Sequence, residues 1–163
     1  MIDKDSIILF SKGDVINWKG LPKDLSLAQL TELFGNPSAT SEATLGYYPA
    51  VKYSFTVDNI EDGLTAFARE DKLILIETKR LPSADILTEL TDPDLILPHE
   101  ILVDNAYAAE YIFSTRGLNL TVAKHYDKSI ADIIVRCRGF EKMSSPAEFD
   151  ARYYKSFRSS KKW

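Results

Sequence analysis

The stretch Val51-Lys52-Tyr53-Ser54-Phe55-Thr56-Val57 decides how the rest of the chain is read. Its apolar side chains alternate with polar ones at period two, the pattern of a strand with one face buried and one face wet. Just upstream, Ser26-Leu27-Ala28-Gln29 has the form of a helix start, in which the Ser hydroxyl and the Gln amide satisfy the first free N–H groups. Leu27, Leu30, Leu33 and Phe34 recur at helical spacing, and Gly35 and Pro37 stop the segment. A polar loop is expected from Ser38 to Thr44. Downstream, Asp58 to Gly63 reads as a turn, and Leu64 to Ala68 and Leu73 to Thr78 read as further strands joined at Arg69-Glu70-Asp71-Lys72. The local unit is a helix, a loop and a three-strand meander.

The same order then recurs. Leu30-Thr31-Glu32-Leu33 is matched by Leu87-Thr88-Glu89-Leu90, and Tyr53-x-Phe55 by Tyr111-x-Phe113. Gly63-Leu64 corresponds to Gly117-Leu118, Asp71-Lys72 to Asp127-Lys128, and the strand Leu73 to Thr78 to Ile130 to Arg138. Each residue type is common, but their colinear order predicts two tandem helix–loop–three-strand repeats. The expected fold is α+β: one antiparallel sheet, helices on one face, and a C-terminal helix closing an edge or end. Residues 1–25 form a lead-in or strand, 26–80 the first repeat, 81–139 the second, and 140–163 a helix and basic tail, all in one globular unit. Ser145-Pro146-Ala147-Glu148 starts that last helix, and Phe149, Tyr153 and Phe157 follow as an aromatic stripe.

Composition narrows the class. Hydrophobic residues make up 45% of the 163, enough to build a core rather than a disordered chain. No apolar run approaches the length of a membrane span, and Ile7 to Phe10 is too short for a signal-peptide core, so a cytoplasmic protein is predicted. The single Cys137 excludes an internal disulfide. Charge is uneven: residues 1–115 carry −10 and residues 116–163 carry +6. Such asymmetry can steer a partner of opposite sign, though simple solvation of both faces is the preferred account.

Signatures of chemistry are sparse. His99, between Pro98 and Glu100, and His125 have no second His or Cys at ligand spacing, so neither a metal site nor a cofactor is predicted. Cys137 lies in the alternating run Val135 to Gly139 and reads as a buried thiol, although Arg136 and Arg138 would lower its pKa were it exposed. The carboxylates at Asp58, Glu61 and Asp62, and at Asp92 and Asp94, fit turn chemistry and not a calcium loop. The tail over 152–163 is basic and aromatic and offers the one plausible contact to nucleic acid, which the acidic remainder otherwise disfavours. Tyr47, Tyr48 and Tyr107 are expected in loops, where tyrosine serves interfaces; Tyr53 and Tyr111 suit cross-strand packing.

The helix ending in Leu33-Phe34-Gly35-Asn36-Pro37, followed by a tyrosine-bearing loop and a meander, resembles helix–strand modules of two bacterial families. These are the secreted β-lactamase inhibitor proteins and small outer-membrane assembly lipoproteins. The resemblance spans residues 26–138 in architecture. Its second copy departs from the motif, reading Leu90-Thr91-Asp92-Pro93 without glycine. What it implies is a binding module and not an enzyme, with no individual residue carried over.

The expected function is therefore non-catalytic binding of a basic protein partner, as in an inhibitor or immunity-type protein. Tyr47, Tyr48 and Tyr107 would supply anchors, with Asp58, Glu61 and Asp62 as the acidic surface. The alternative from another class is an enzyme or small-ligand binder with a sheet–helix pocket near His99, Glu100 and His125.

Overall fold

The computed structural model describes residues 3–45, 48–57, 60–103, 106–125, 127, 129 and 131–148, without side-chain placement for 60–62, 98–103 and 106. It is a mixed α+β structure dominated by one eight-stranded antiparallel sheet. The strands are β1 (Ala39–Leu45), β2 (Tyr48–Val57), β3 (Ile60–Arg69), β4 (Lys72–Thr78), β5 (Leu95–Val103), β6 (Ala106–Phe113), β7 (Leu118–His125) and β8 (Ile133–Gly139). Their order across the sheet is β1-β2-β3-β4-β8-β7-β6-β5. Two four-strand meanders thus meet through their last strands, and β1 and β5 are left as the outer edges.

Each meander has one strand more than the sequence pattern indicates. The Ser38 to Thr44 segment, read as a loop, forms β1, because an edge strand exposed on both sides shows no apolar alternation. β5 was hidden by Pro98, which an edge strand tolerates since it need not donate. The Asp58 to Gly63 turn is shorter than composition suggested: β3 begins at Ile60, so Glu61 and Asp62 are strand residues.

Residues 1–25 contain a helix, not a strand. α1 (Lys4–Ser11) is capped by Asp3, whose carboxylate accepts the Ser6 N–H at 3.1 Å. Ile7 and Phe10, three apart, are thereby buried together. The predicted second helix is present as α2 (Leu27–Phe34), with a reciprocal capping box between Ser26 and Gln29 and a stop at Gly35. A short α3 (Ile86–Glu89) stands at the corresponding place before β5.

Strand alternation sorts the core into two clusters. The larger joins Ile7, Phe10, Leu30 and Ile86 of the helices to Phe55, Leu64, Ile76, Leu118, Leu120 and Cys137 of the strands. Tyr53 and Tyr111 pack against this cluster, on β2 and β6 respectively. The smaller cluster collects Leu45, Ala50, Phe67, Leu75, Ile112, Phe140 and Met143. A register shift between Phe67 and Ala68 lets Leu73 and Leu75 of one strand serve different clusters.

The seam between the meanders is narrow. β4 and β8 pair only at Ile76–Gly139 and Glu77–Arg138. Farther along β4, residues Leu25 to Leu27 take the place of β8: Leu73 donates to the Leu25 carbonyl and Leu27 to that of Asp71. Gly139 has to be glycine at the seam, because a Cβ there would meet the Trp18 ring at 2.7 Å. Trp18 is itself fixed by its indole N–H, which donates to the Gly117 carbonyl at 2.9 Å, and by the Phe10 ring at 4.7 Å.

At the C-terminal end, the Glu148 N–H donates to Ser145 Oγ, as the capping pattern predicts, and residues 146–148 are helical. Phe149, Tyr153, Phe157 and the basic 152–163 tail lie outside the described residues.

Candidate binding surface

The outer corner of the first meander holds a cleft of about 960 Å³. It is lined by Glu42 and Ala43 of β1, Tyr48 and Ala50 of β2, Arg69 at the end of β3 and Glu70 of the following turn. The space exists because side chains on its floor are small: Ala43 and Ala50 face each other in register. Above them stands Tyr48, 43% exposed and among the most exposed large apolar side chains.

Tyr48 does not stand alone. The Arg69 guanidinium lies 5.2 Å from its ring centroid. Arg69 Nε donates to the Pro49 carbonyl at 3.0 Å and Nη2 to the Leu45 carbonyl at 3.1 Å, so the planar fork is held before anything docks. Burial lowers the Arg69 pKa from its ordinary value, and Tyr48 opposes that shift. Local geometry places both: Tyr48 starts β2 opposite Leu45, and Arg69 closes β3 before the two-residue turn Glu70-Asp71. Both turn residues have positive φ, 50° and 64°, the twist a tight hairpin requires.

Of the residues singled out by sequence, Tyr48 is at this cleft, but on a strand and not in a loop. Tyr107 is likewise on a strand, β6, half-buried and in register with Lys124. Five strand spacings separate β2 from β6, about 24 Å at the usual 4.8 Å, so the two tyrosines do not form one anchor cluster. Glu61 and Asp62 lie at the far end of the β2–β3 hairpin, roughly 26 Å along the strand from Tyr48 by the usual rise. Tyr47 and Asp58 lie outside the described residues. The acidic residues that line the cleft are Glu70 and Glu42, the latter in register with Val51 and so on the opposite face of the ladder from Tyr48; neither they nor Arg69 are marked by a sequence motif. The signal available was the isolated charge in the Ser/Thr-rich 38–44 segment, and it was masked by reading that segment as a loop.

The backbone places the histidines on different strands. His99 and Glu100 lie on β5 and half-buried His125 ends β7, two strands away. Beside His125, Lys124 pairs with Asp132 at 2.8 Å and lies 5.3 Å from the Tyr111 ring. Burial works against the Lys124 ammonium, but hydrogen bonds to Asp132 and Tyr111 outweigh it and raise its pKa above the ordinary lysine value. Cys137 is fully buried in the larger core, and burial, then nearby Glu77, pushes its thiol pKa up. The flanking arginines do not activate it, because they project from the other face of β8: Arg136 to Glu110 at 2.9 Å and Arg138 to Glu77 at 3.1 Å. Asp94 is tied to Ser114, accepting its N–H and its hydroxyl. Among the described residues, no group of three or more His, Cys, Asp or Glu could hold a metal ion. No helix among them is long and apolar enough to cross a membrane.

These features define an α+β chain with an eight-stranded antiparallel sheet and an aromatic cleft at one corner. No family model and no curated protein matches it. Among solved structures, it is similar to one from Streptococcus mutans described as a "putative beta-lactamase inhibitor protein", at 11% identity and a TM-score of 0.31. That likeness covers 84% of this chain and 96% of the other.

Proposed function

We propose that this chain is a non-catalytic protein-binding module whose contact surface is the cleft at the β1–β2 corner. The observation that carries the reading is the exposed Tyr48 ring stacked against an Arg69 guanidinium already fastened to two backbone carbonyls. Tyrosine and arginine are the residue types that dominate interface energetics, and a fixed pair loses little rotamer freedom on docking. Glu42 and Glu70, which line the same cleft, favour a basic partner through the encounter field. An inhibitor or immunity-type protein is the concrete form of this function. In the same reading, the two meanders are tandem copies with helices packed on one face of the sheet.

The test is capture from host lysate on wild-type and Tyr48→Ala columns, followed by titration of the recovered protein. A stoichiometric partner whose Kd weakens roughly 30-fold in the variant, the ~2 kcal/mol of an interface anchor, supports the reading. A partner bound equally by both proteins, or no partner at any salt concentration, defeats it.

A further inference from the structure

The two edges of the sheet are built differently. β5 contains Pro98, and its pairing with β6 shifts register between Pro98 and Ile101 and again between Ile101 and Val103. Proline and register breaks are the means by which proteins blunt an edge against further pairing. β1 has neither. Its seven residues pair with β2 in unbroken register from Ala39–Ser54 to Leu45–Tyr48, and all but Ala43 and Leu45 are exposed. Its sequence, Ala-Thr-Ser-Glu-Ala-Thr-Leu, holds no proline, glycine or lysine. In an antiparallel ladder alternate residues aim their N–H and C=O groups away from the partner strand. Among the described residues no strand pairs with the outer side of β1, which presents a regular row of backbone donors and acceptors beside the Tyr48 cleft.

Glu42 decides what can pair there. It is the central residue of β1, and it is exposed. A second copy of β1 added antiparallel about its centre would set two Glu42 carboxylates opposite each other, which destabilises a cross-strand pair. A strand bearing Lys or Arg at that place gains a favourable pair instead. The edge is thus open to a basic strand and guarded against its own kind.

We infer that β1 is a strand-addition edge, on which a partner protein lays an extended segment carrying Lys or Arg along Ala39–Leu45. This names the partner segment for the cleft proposed above and rests on that reading. Backbone hydrogen bonds supply the register, Glu42 the charge preference, and Tyr48 the side-chain contact at the end of the track.

The test uses the full chain, backbone-amide NMR and two blocked heptapeptides of alternating Thr and Val, one with Lys at its centre and one with Glu. The Lys peptide should shift the amides of residues 39–45 and slow their hydrogen exchange, with the Glu peptide about fivefold weaker. Glu42→Lys should reverse that preference. Changes absent from β1, or equal for both peptides, overturn strand addition. The two proposals fail separately. A captured partner that needs Tyr48 but leaves β1 exchange unaltered overturns strand addition and spares the cleft. Charge-reversible protection of β1, with capture indifferent to Tyr48→Ala, supports strand addition and removes the anchor.

Discussion

The first meander, β1 to β4, and the second, β5 to β8, agree inside and differ outside. Phe55 and Phe113, Leu64 and Leu118, and the pair Tyr53 and Tyr111 occupy the same strand positions and serve the same core cluster. Their margins diverge. The first ends in a regular, exposed strand beside a cleft, and its last hairpin turns in two residues of positive φ. The second ends in a strand interrupted at Pro98, and its last hairpin spans the seven residues between His125 and Ile133. Core positions are fixed by packing, where one methylene is felt. An edge answers only to solvent and to partners, so that is where two similar halves can take different roles.

The largest effect should come from cutting the halves apart. Arg138→Ala leaves the half-buried Glu77 carboxylate without its cross-seam partner and should cost about 2–3 kcal/mol in chemical denaturation, at or below the usual result of breaking one side of a buried pair. The double change Glu77→Leu with Arg138→Met should cost under about 1 kcal/mol, since replacing both charges removes the desolvation cost too. A single mutant as stable as wild type would mean that the halves do not depend on this seam.

Tyrosine truncation separates the margins more directly. Tyr48→Ala should weaken partner binding roughly 30-fold, whereas Tyr107→Ala, on the second meander, should change it by less than about threefold. Equal losses measured by calorimetry would move the surface away from the β1 corner.

An alkaline titration probes the larger core cluster from the side of the second meander. Cys137 gives the second half a buried titratable group, with its thiol pKa raised by burial above the unfolded value. A raised folded pKa means the stability is fully present below the unfolded thiol range and is lost as pH rises beyond it. Chemical denaturation should therefore show falling stability above about pH 9, a fall that Cys137→Ala makes smaller. The native thiol should also resist a disulfide reagent at pH 8 and react once the chain is unfolded.

The smallest effect lies in the tight turn. Asp71→Gly relieves a non-glycine residue at φ 64° and should raise stability by about 0.5 kcal/mol, read as a higher Tm. A lower Tm would mean that the Asp71 side chain contributes more to the turn than its backbone strain removes.

Legibility followed burial. α2 was readable to the residue from Ser26, Gln29 and Gly35, because capping is a local interaction written in adjacent positions. The strands around Tyr53-x-Phe55 and Tyr111-x-Phe113 were readable because one buried face forces alternation. β1 was not, since an exposed edge imposes no pattern. α1 was missed for a different reason: four apolar residues, Ile7 to Phe10, suit a strand or a helix equally, and only the Asp3 cap points to the latter.

The candidate surface divides in the same way. Sequence alone singled out Tyr48 as an interface residue and set the acidic bias of the first 115 positions. Which groups stand beside Tyr48 was a matter of tertiary structure. Antiparallel pairing brings residue 69 against residues 45, 48 and 49 while carrying residues 61 and 62 to the opposite end of the hairpin. Local propensity fixes where a strand or helix begins. Proximity across a sheet depends on register and strand order, which are set by long-range burial of the faces and are written in no single stretch of the chain.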